Sequence, residues 1–152
     1  MERWKSFSAA LDFAIAREEE SHDFYVDLAG RMEHKAMAEV FEQFAREELG
    51  HKKRLETVKS GGDVPQTDSE TIQNLAIADY VVDVEPTPDM DYGDALVLAM
   101  KKEKAAFRLY NDLAANVRNP ELADLFLMLA QEEAKHKLRF ELEYDDAVLS
   151  EN

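Results

Sequence analysis

Residues that can bind metal ions recur in this chain at a constant spacing of 85 positions. In each copy a glutamate stands 30 residues before a Glu-x-x-His motif. Packing residues recur with them, for example Phe41 with Phe126. A repeat that keeps carboxylates and imidazoles as well as core residues points to a symmetrical metal site. The two sets of candidate ligands are Glu18, Glu48 and His51 in the first copy, and Glu103, Glu133 and His136 in the second.

Each set suits an antiparallel pair of helices. Glu18 and Glu48 are equally distant from position 33, where Gly30 and a polar stretch indicate a turn. Glu103 and Glu133 are equally distant from position 118, next to Asn119-Pro120. Residues at equal distances from a helical turn lie at the same height, so both hairpins are predicted to bring their glutamates to mid-length. The histidines lie three residues further on, on the same helix face.

Four buried carboxylates repel one another unless protons or cations neutralise them, and each burial costs on the order of several kcal/mol. Two divalent ions would balance the four charges. Mixed oxygen and nitrogen ligands suit iron or manganese, and zinc could compete. A single Glu-x-x-His carries little weight, because Glu19-x-x-His22 also fits. Neither His22 nor His34 has a histidine mate 85 positions on, so both are predicted to be ordinary surface or turn residues.

Apolar residues at steps of three and four predict four long helices. Their ranges are about 6–32, 35–59, 92–117 and 120–147, with Asn119 as the cap of the fourth. The connector 61–91 carries Pro65, Pro86 and Pro88 and is predicted to hold a short helix at 69–82. The predicted fold class is all-α: a ferritin-like four-helix bundle of two helical hairpins with a long crossover connection. The long connector disfavours a plain up-down bundle, and the lack of strict heptads disfavours a coiled coil.

The composition limits the partners and the location. The 152 residues are predicted to form one domain, 1–152, and carry a net charge of −15. Such a charge argues against nucleic acid and anionic membranes as partners. The chain has no cysteine, and hence no disulfide, Cys-ligated zinc or rubredoxin-type centre. Its first residues lack the apolar stretch of a secretory signal, so a cytoplasmic location is expected.

These residues resemble the rubrerythrin-type, ferritin-like di-iron carboxylate family, over all four predicted helices. The family pattern is a glutamate on the first and third helices and Glu-x-x-His on the second and fourth. The resemblance implies two iron ions bound by the six residues named above, with Glu48 and Glu133 as bridges. It also implies that Tyr25 and Tyr110, seven residues after the first glutamates, hydrogen-bond ligand carboxylates and assist catalysis; core filling is the alternative. Glu47 and Glu132 are candidates to orient the histidines, or are exposed charges.

The resemblance implies a homodimer that oxidises Fe(II) with hydrogen peroxide or dioxygen, in peroxide detoxification or iron handling. Rubrerythrin peroxidases carry an extra glutamate where this chain has Ala106, with Ser21 as its repeat mate, which puts efficient peroxide reduction in doubt. Without a rubredoxin domain, electrons must come from an external donor protein. The alternatives are an iron-storage protein with stoichiometric ferroxidase activity and a structural module stabilised by zinc.

Overall fold

A computed structural model describes residues 7–61, 86–87 and 90–149 of the chain. This part of the chain contains helices and no strand. The predicted helix at 69–82, together with Pro65 and Pro88, lies outside the described residues. The helices are α1 (Phe7–Arg31), α2 (Lys35–Lys59), α3 (Tyr92–Asn116) and α4 (Pro120–Tyr144), and a π-helical segment, Asp145–Leu149, follows α4.

Local sequence explains where these helices begin and end. Asp91 caps α3 by accepting a hydrogen bond from the backbone N–H of Asp94 at 2.8 Å. Asn119 caps α4 as the sequence predicts, because its side-chain oxygen accepts from the N–H of Glu121 at 2.9 Å. Past the end of α2, Gly61 has a φ of +80°, a conformation that glycine adopts without strain.

The helices form two antiparallel hairpins, α1 with α2 and α3 with α4, each joined by a three-residue turn. The hairpins pack with α1 against α3. At one end of the bundle, buried residues from the start of α1 and the end of α2 meet the end of α3 and the start of α4. At the opposite end the start of α3 meets the end of α4. Helix α2 therefore ends at the end of the bundle opposite to the one where α3 begins, as a crossover connection requires.

The apolar core is divided into two clusters, one toward each end of the bundle. The first includes Leu11, Leu55, Leu113 and Phe126, and the second includes Phe41, Phe44, Leu96 and Phe140. Glu18, Glu48, Glu103 and Glu133 lie at the middle of their helices and are at most 1% exposed. The bundle therefore encloses a layer of carboxylates between two apolar layers. Among the described residues, no helix is long and apolar enough to cross a membrane.

Candidate metal centre

The six candidate ligands converge at the mid-height of the bundle, and their atoms form two overlapping groups. In each group every residue offers one ligand atom, and these atoms all lie within 4.8 Å of one another. Glu48 and Glu133 belong to both groups, whereas the other members belong to one each. This is the arrangement of two adjacent cation sites that share two carboxylates. The first group is Glu18, Glu48, His51 and Glu133, and the second is Glu48, Glu103, Glu133 and His136.

The imidazoles approach carboxylates of both hairpins. Nδ1 of His51, on α2, lies 2.9 Å from Glu18 Oε2 and 2.9 Å from Glu133 Oε1, on α4. Nδ1 of His136, on α4, lies 3.3 Å from Glu48 Oε1, on α2, and 3.5 Å from Glu103 Oε2. The two rings are nearly parallel, with an angle of 9° between their planes and 5.9 Å between their centres. The histidines thus link the two hairpins at the centre.

The buried polar atoms of this cluster lack the hydrogen bonds that burial normally demands. Both carboxylate oxygens of Glu48 and of Glu133 are buried without a hydrogen-bond partner, and so is Nδ1 of both histidines. Such orphaned groups cost about 1–3 kcal/mol each, and more when charged. The carboxylate oxygens and the imidazole Nδ1 atoms therefore surround a common point at short distances without forming good hydrogen bonds.

The donor set fits divalent ions. Ligands bound at about 2.1 Å lie about 3.0 Å apart in cis positions of an octahedron and about 3.4 Å apart in a tetrahedron. The contacts of His51 at 2.9 Å and of His136 at 3.3 and 3.5 Å fall close to these values. Oxygen and imidazole ligands together suit first-row transition metals such as iron, manganese or zinc. The residues present therefore fit a pair of such ions.

The carboxylates resist ionisation when no cation is bound. Burial, followed by the charge of Glu103, raises the pKa of Glu48 to about 7. Burial also raises the pKa of Glu18 and of Glu133 well above 4.5, and neighbouring glutamates raise it further. The physical cause is the same in each case: a buried charge loses its hydration and faces like charges. The metal-free centre therefore holds protons that a cation would displace.

The two histidines respond to this centre in opposite directions. Burial, with the charge of His136 as the next cause, lowers the pKa of His51 to about 4. Burial alone would also lower the pKa of His136, but the close approach and the charges of Glu103 and Glu48 raise it to about 10. Without metal, one imidazole is neutral and the other is a cation that partly neutralises the carboxylates.

The tyrosines differ between the two halves of the centre. The hydroxyl of Tyr25, on α1, donates a hydrogen bond of 2.5 Å to Glu103 Oε1, on α3. Tyr110, on α3, faces Glu18, but its buried hydroxyl makes no well-formed hydrogen bond. The repeat predicts two equivalent tyrosines, and the structure forms the bond in one half only.

The other polar residues singled out from the sequence lie around or away from the centre. Glu47 Oε2 lies 3.5 Å from Nε2 of His136, on the side of the ring opposite to Nδ1. The charge of Glu132 partly offsets the lowering of the His51 pKa that burial causes. His22 pairs with Asp23 on the surface, and His34 is an exposed residue at the start of α2. Neither belongs to the two groups of ligand atoms.

A cluster of charged side chains that the sequence interpretation did not single out lies beside the centre. Glu20, on α1, pairs with Arg17 at 2.6 Å and with Lys102, on α3, at 3.2 Å. The signal was present in the sequence, because Arg17 and Lys102 are basic residues 85 positions apart, each next to a candidate ligand.

Comparisons with known proteins agree with this fold. A crystal structure from Thermotoga maritima, of a protein proposed to be a ferritin-like diiron-carboxylate protein, superposes with a TM-score of 0.81. It is 20% identical, and the match covers 97% of this chain and 100% of that one. The chain therefore has the fold of the ferritin-like diiron-carboxylate class.

The sequence of the chain identifies its family. The chain belongs to the rubrerythrin family, whose model matches residues 9–84 and 94–152. An uncharacterised conserved protein from Magnetospirillum magnetotacticum is 25% identical, with a TM-score of 0.70 over 92% of this chain and 94% of that one. A hypothetical protein from Pyrococcus furiosus is 27% identical, with a TM-score of 0.67 over 90% of this chain and 86% of that one. No curated protein sequence matches the chain.

Proposed function

We propose that this chain is a non-haem di-iron oxidoreductase that oxidises Fe(II) with hydrogen peroxide or dioxygen, in peroxide detoxification or iron handling. One observation carries the proposal: two groups of buried ligand atoms share Glu48 and Glu133. Two separate sites would not need shared carboxylates, and a single ion would need its ligand atoms around one point, whereas these atoms form two overlapping groups of four. The rubrerythrin family match and the diiron-carboxylate description of the Thermotoga relative support iron as the metal.

The six residues have distinct roles in this proposal. Glu18 and His51 would hold one ion and Glu103 and His136 the other, and the shared residues Glu48 and Glu133 would contribute to both. Four carboxylate charges balance two divalent cations, which removes the repulsion that raises the pKa of these groups in the metal-free centre. Manganese or zinc fits the same ligands and competes with iron.

A ferrous pair held by these six residues would supply the two electrons that, with two protons, reduce hydrogen peroxide to two water molecules. The protein's own residues set the conditions. The two apolar clusters exclude bulk water from the carboxylate layer. Through its hydrogen bond, Tyr25 fixes the orientation of Glu103. Glu47, close to His136 Nε2, holds the ring with Nδ1 toward the centre.

Two features specify the reaction further. Ala106 stands at the position of the extra glutamate of rubrerythrin peroxidases, so we propose that peroxide oxidises the di-ferrous centre with little advantage over dioxygen. The chain has no cysteine for a rubredoxin-type centre, so repeated turnover uses an external electron-donor protein. The homodimer expected from the resemblance belongs to the proposal, and light scattering in solution tests it.

Anaerobic loading with Fe(II), followed by stopped-flow mixing with peroxide or dioxygen, tests the proposed function. We expect two iron ions per chain and oxidation by either reagent at similar rates, followed by repeated turnover when an electron donor is supplied. His22→Ala is the matched control, because it removes an imidazole from an unrepeated Glu-x-x-His motif.

Other outcomes point to the alternatives. A preference for peroxide of several orders of magnitude would mean that Ala106 does not matter and would favour a dedicated peroxidase. A single stoichiometric oxidation followed by mineral growth would favour iron storage. Tight zinc binding without redox chemistry would favour a structural module.

A further inference from the structure

A recess between α1 and α3 leads to one half of the metal centre. Its outer part is lined by Arg17, Glu20 and Lys102, and its inner part by Glu18 and Tyr110. Small residues, including Ala106, line the wall between them. Glu18 and Tyr110 are each 1% exposed, whereas the Glu20 side chain is 45% exposed. The recess thus joins the protein surface to a candidate ligand.

The polar groups that line the recess include the hydrogen-bond donors of Arg17, Ser21, Lys102 and Tyr110 and the carboxylates of Glu18 and Glu20. The hydroxyl of Tyr110 and Nε of Arg17 are both buried without a hydrogen-bond partner. Glu20, the exposed acidic group of the lining, has one oxygen paired with Arg17 and the other with Lys102. An unpaired donor at the inner end and two cations at the outer end suit a small molecule that accepts hydrogen bonds.

The corresponding position in the other half of the centre is closed. The repeat mate of Leu109, which lines the recess, is Phe24. The Phe24 ring packs edge-on against Tyr25 at 5.5 Å, and the Lys102 ammonium lies 4.8 Å from the centre of the same ring. The Tyr25 hydroxyl is already bonded to Glu103. The larger Phe24 side chain and the bonded Tyr25 hydroxyl therefore close one half of the centre. The smaller Leu109 and the unpaired Tyr110 hydroxyl leave the other half open.

We propose that this recess admits and binds a small hydrogen-bond acceptor at the Glu18–Tyr110 half of the centre. In the reaction proposed above this ligand is hydrogen peroxide, and its identity rests on the proposed function. The binding site itself rests on the recess, its unpaired donors and the asymmetry between Leu109 and Phe24. Leu109 and Ala106 set the width of the recess, and Tyr110 provides the hydrogen bond at its inner end.

Azide is the probe that separates the binding site from the reaction. Its binding to the iron-loaded, oxidised protein is measured by titration calorimetry, and metal content and helicity are measured on every variant. Leu109→Phe fills the recess with the side chain found at its repeat mate. We expect azide affinity to fall about tenfold or more, because the larger ring takes up the space that azide needs. Ala106→Met enlarges a second lining residue on the same face of α3 and is expected to act in the same direction. Tyr110→Phe removes the donor, with an expected loss of about threefold to tenfold.

Phe24→Leu is the matched control, since it enlarges the space at the mirror position and affects the recess only through the contact of the Phe24 ring with Lys102. We expect it to retain azide affinity. Wild-type affinity in both Leu109→Phe and Ala106→Met, with metal content intact, would overturn the proposal, and so would an absence of azide binding to the unchanged protein.

Stopped-flow oxidation by peroxide of the same variants tests the identity of the ligand. Slower oxidation in Leu109→Phe, in step with its weaker azide binding, is the expected result. An unchanged rate in a variant that has lost azide binding would overturn peroxide as the occupant. If the unchanged protein bound azide in the recess but was not oxidised by peroxide, the proposed function would fail while the binding site stood.

Discussion

His51 and His136 each lie close to carboxylates of both hairpins. These two residues distinguish the two groups of ligand atoms within the centre. His51 Nδ1 contacts Glu18 and Glu133 equally closely, whereas His136 Nδ1 lies nearest to Glu48 and Glu103. The two imidazoles share no nearest carboxylate. The structure therefore assigns each histidine to its own group of ligand atoms.

Replacing either histidine with alanine tests this assignment. We expect His51→Ala and His136→Ala each to remove or weaken one of two bound ions, because each imidazole belongs to a different group of ligand atoms. Metal analysis of the purified variants after saturation and dialysis measures the loss. His22→Ala and His34→Ala are the controls and should keep the full metal content. Full retention in all four variants would contradict the assignment.

The two tyrosines allow a second comparison of matched variants. Tyr25→Phe removes a buried hydrogen bond to Glu103, and we expect it to lower the free energy of unfolding of the metal-free protein by about 1–3 kcal/mol. Tyr110→Phe removes a buried hydroxyl that makes no well-formed hydrogen bond, so its effect should stay within about 0.5 kcal/mol. Urea unfolding of both variants measures the difference. Equal destabilisation would show that the two halves are equivalent.

At the scale of helices, the sequence predicts the arrangement well wherever local pattern decides it. Periodicity and the Asn119 cap define the helices, and equal distances from the turns place the four glutamates at one height. The pattern cannot give the contacts between hairpins, since these depend on how α1 packs against α3. The repeat makes Tyr25 and Tyr110 equivalent, yet their neighbours Phe24 and Leu109 differ in volume, and only Tyr25 donates a well-formed hydrogen bond to a glutamate.

The packing of α2 against α4 depends on what neutralises the shared glutamates. Glu48→Gln keeps the shape of the side chain and removes one charge from a layer whose members raise one another's pKa. We expect the metal-free variant to melt at a higher temperature than the metal-free parent at pH 8, and to bind metal more weakly. Calorimetric melting with and without chelator measures both effects. Glu42→Gln, an exposed change on the same helix, should alter neither property.

The molecule as a whole combines a strongly acidic composition with a buried acidic layer, so its stability depends on pH and on metal together. Surface carboxylates repel one another at a distance and are screened by salt. The buried layer is shielded from salt by the apolar clusters at both ends. Its charge is compensated by protons in the metal-free protein and by cations in the loaded one. The stability of the two forms should therefore depend on pH in different ways.

For the metal-free protein we expect stability to fall between pH 6.5 and pH 8. The raised pKa of Glu48, about 7, and those of Glu18 and Glu133 mean that the folded state holds protons that the unfolded state has lost. Their stabilising effect is present at low pH and is lost as pH rises through the folded pKa values. His136, with a pKa raised to about 10, acts in the same direction across this window. His51, with a pKa lowered to about 4, destabilises the fold only below about pH 6.5.

Each additional proton held by the folded state contributes a slope of about 1.4 kcal/mol per pH unit. The metal-loaded protein should show a flat or rising curve over the same window, because the ligands must lose their protons to bind the ions. Urea unfolding at half-unit intervals from pH 6.5 to pH 8, with chelator and with saturating metal, gives both curves. Parallel curves would mean that metal and protons do not compete for the same buried groups, and the centre described here would then not be the place where metal binds.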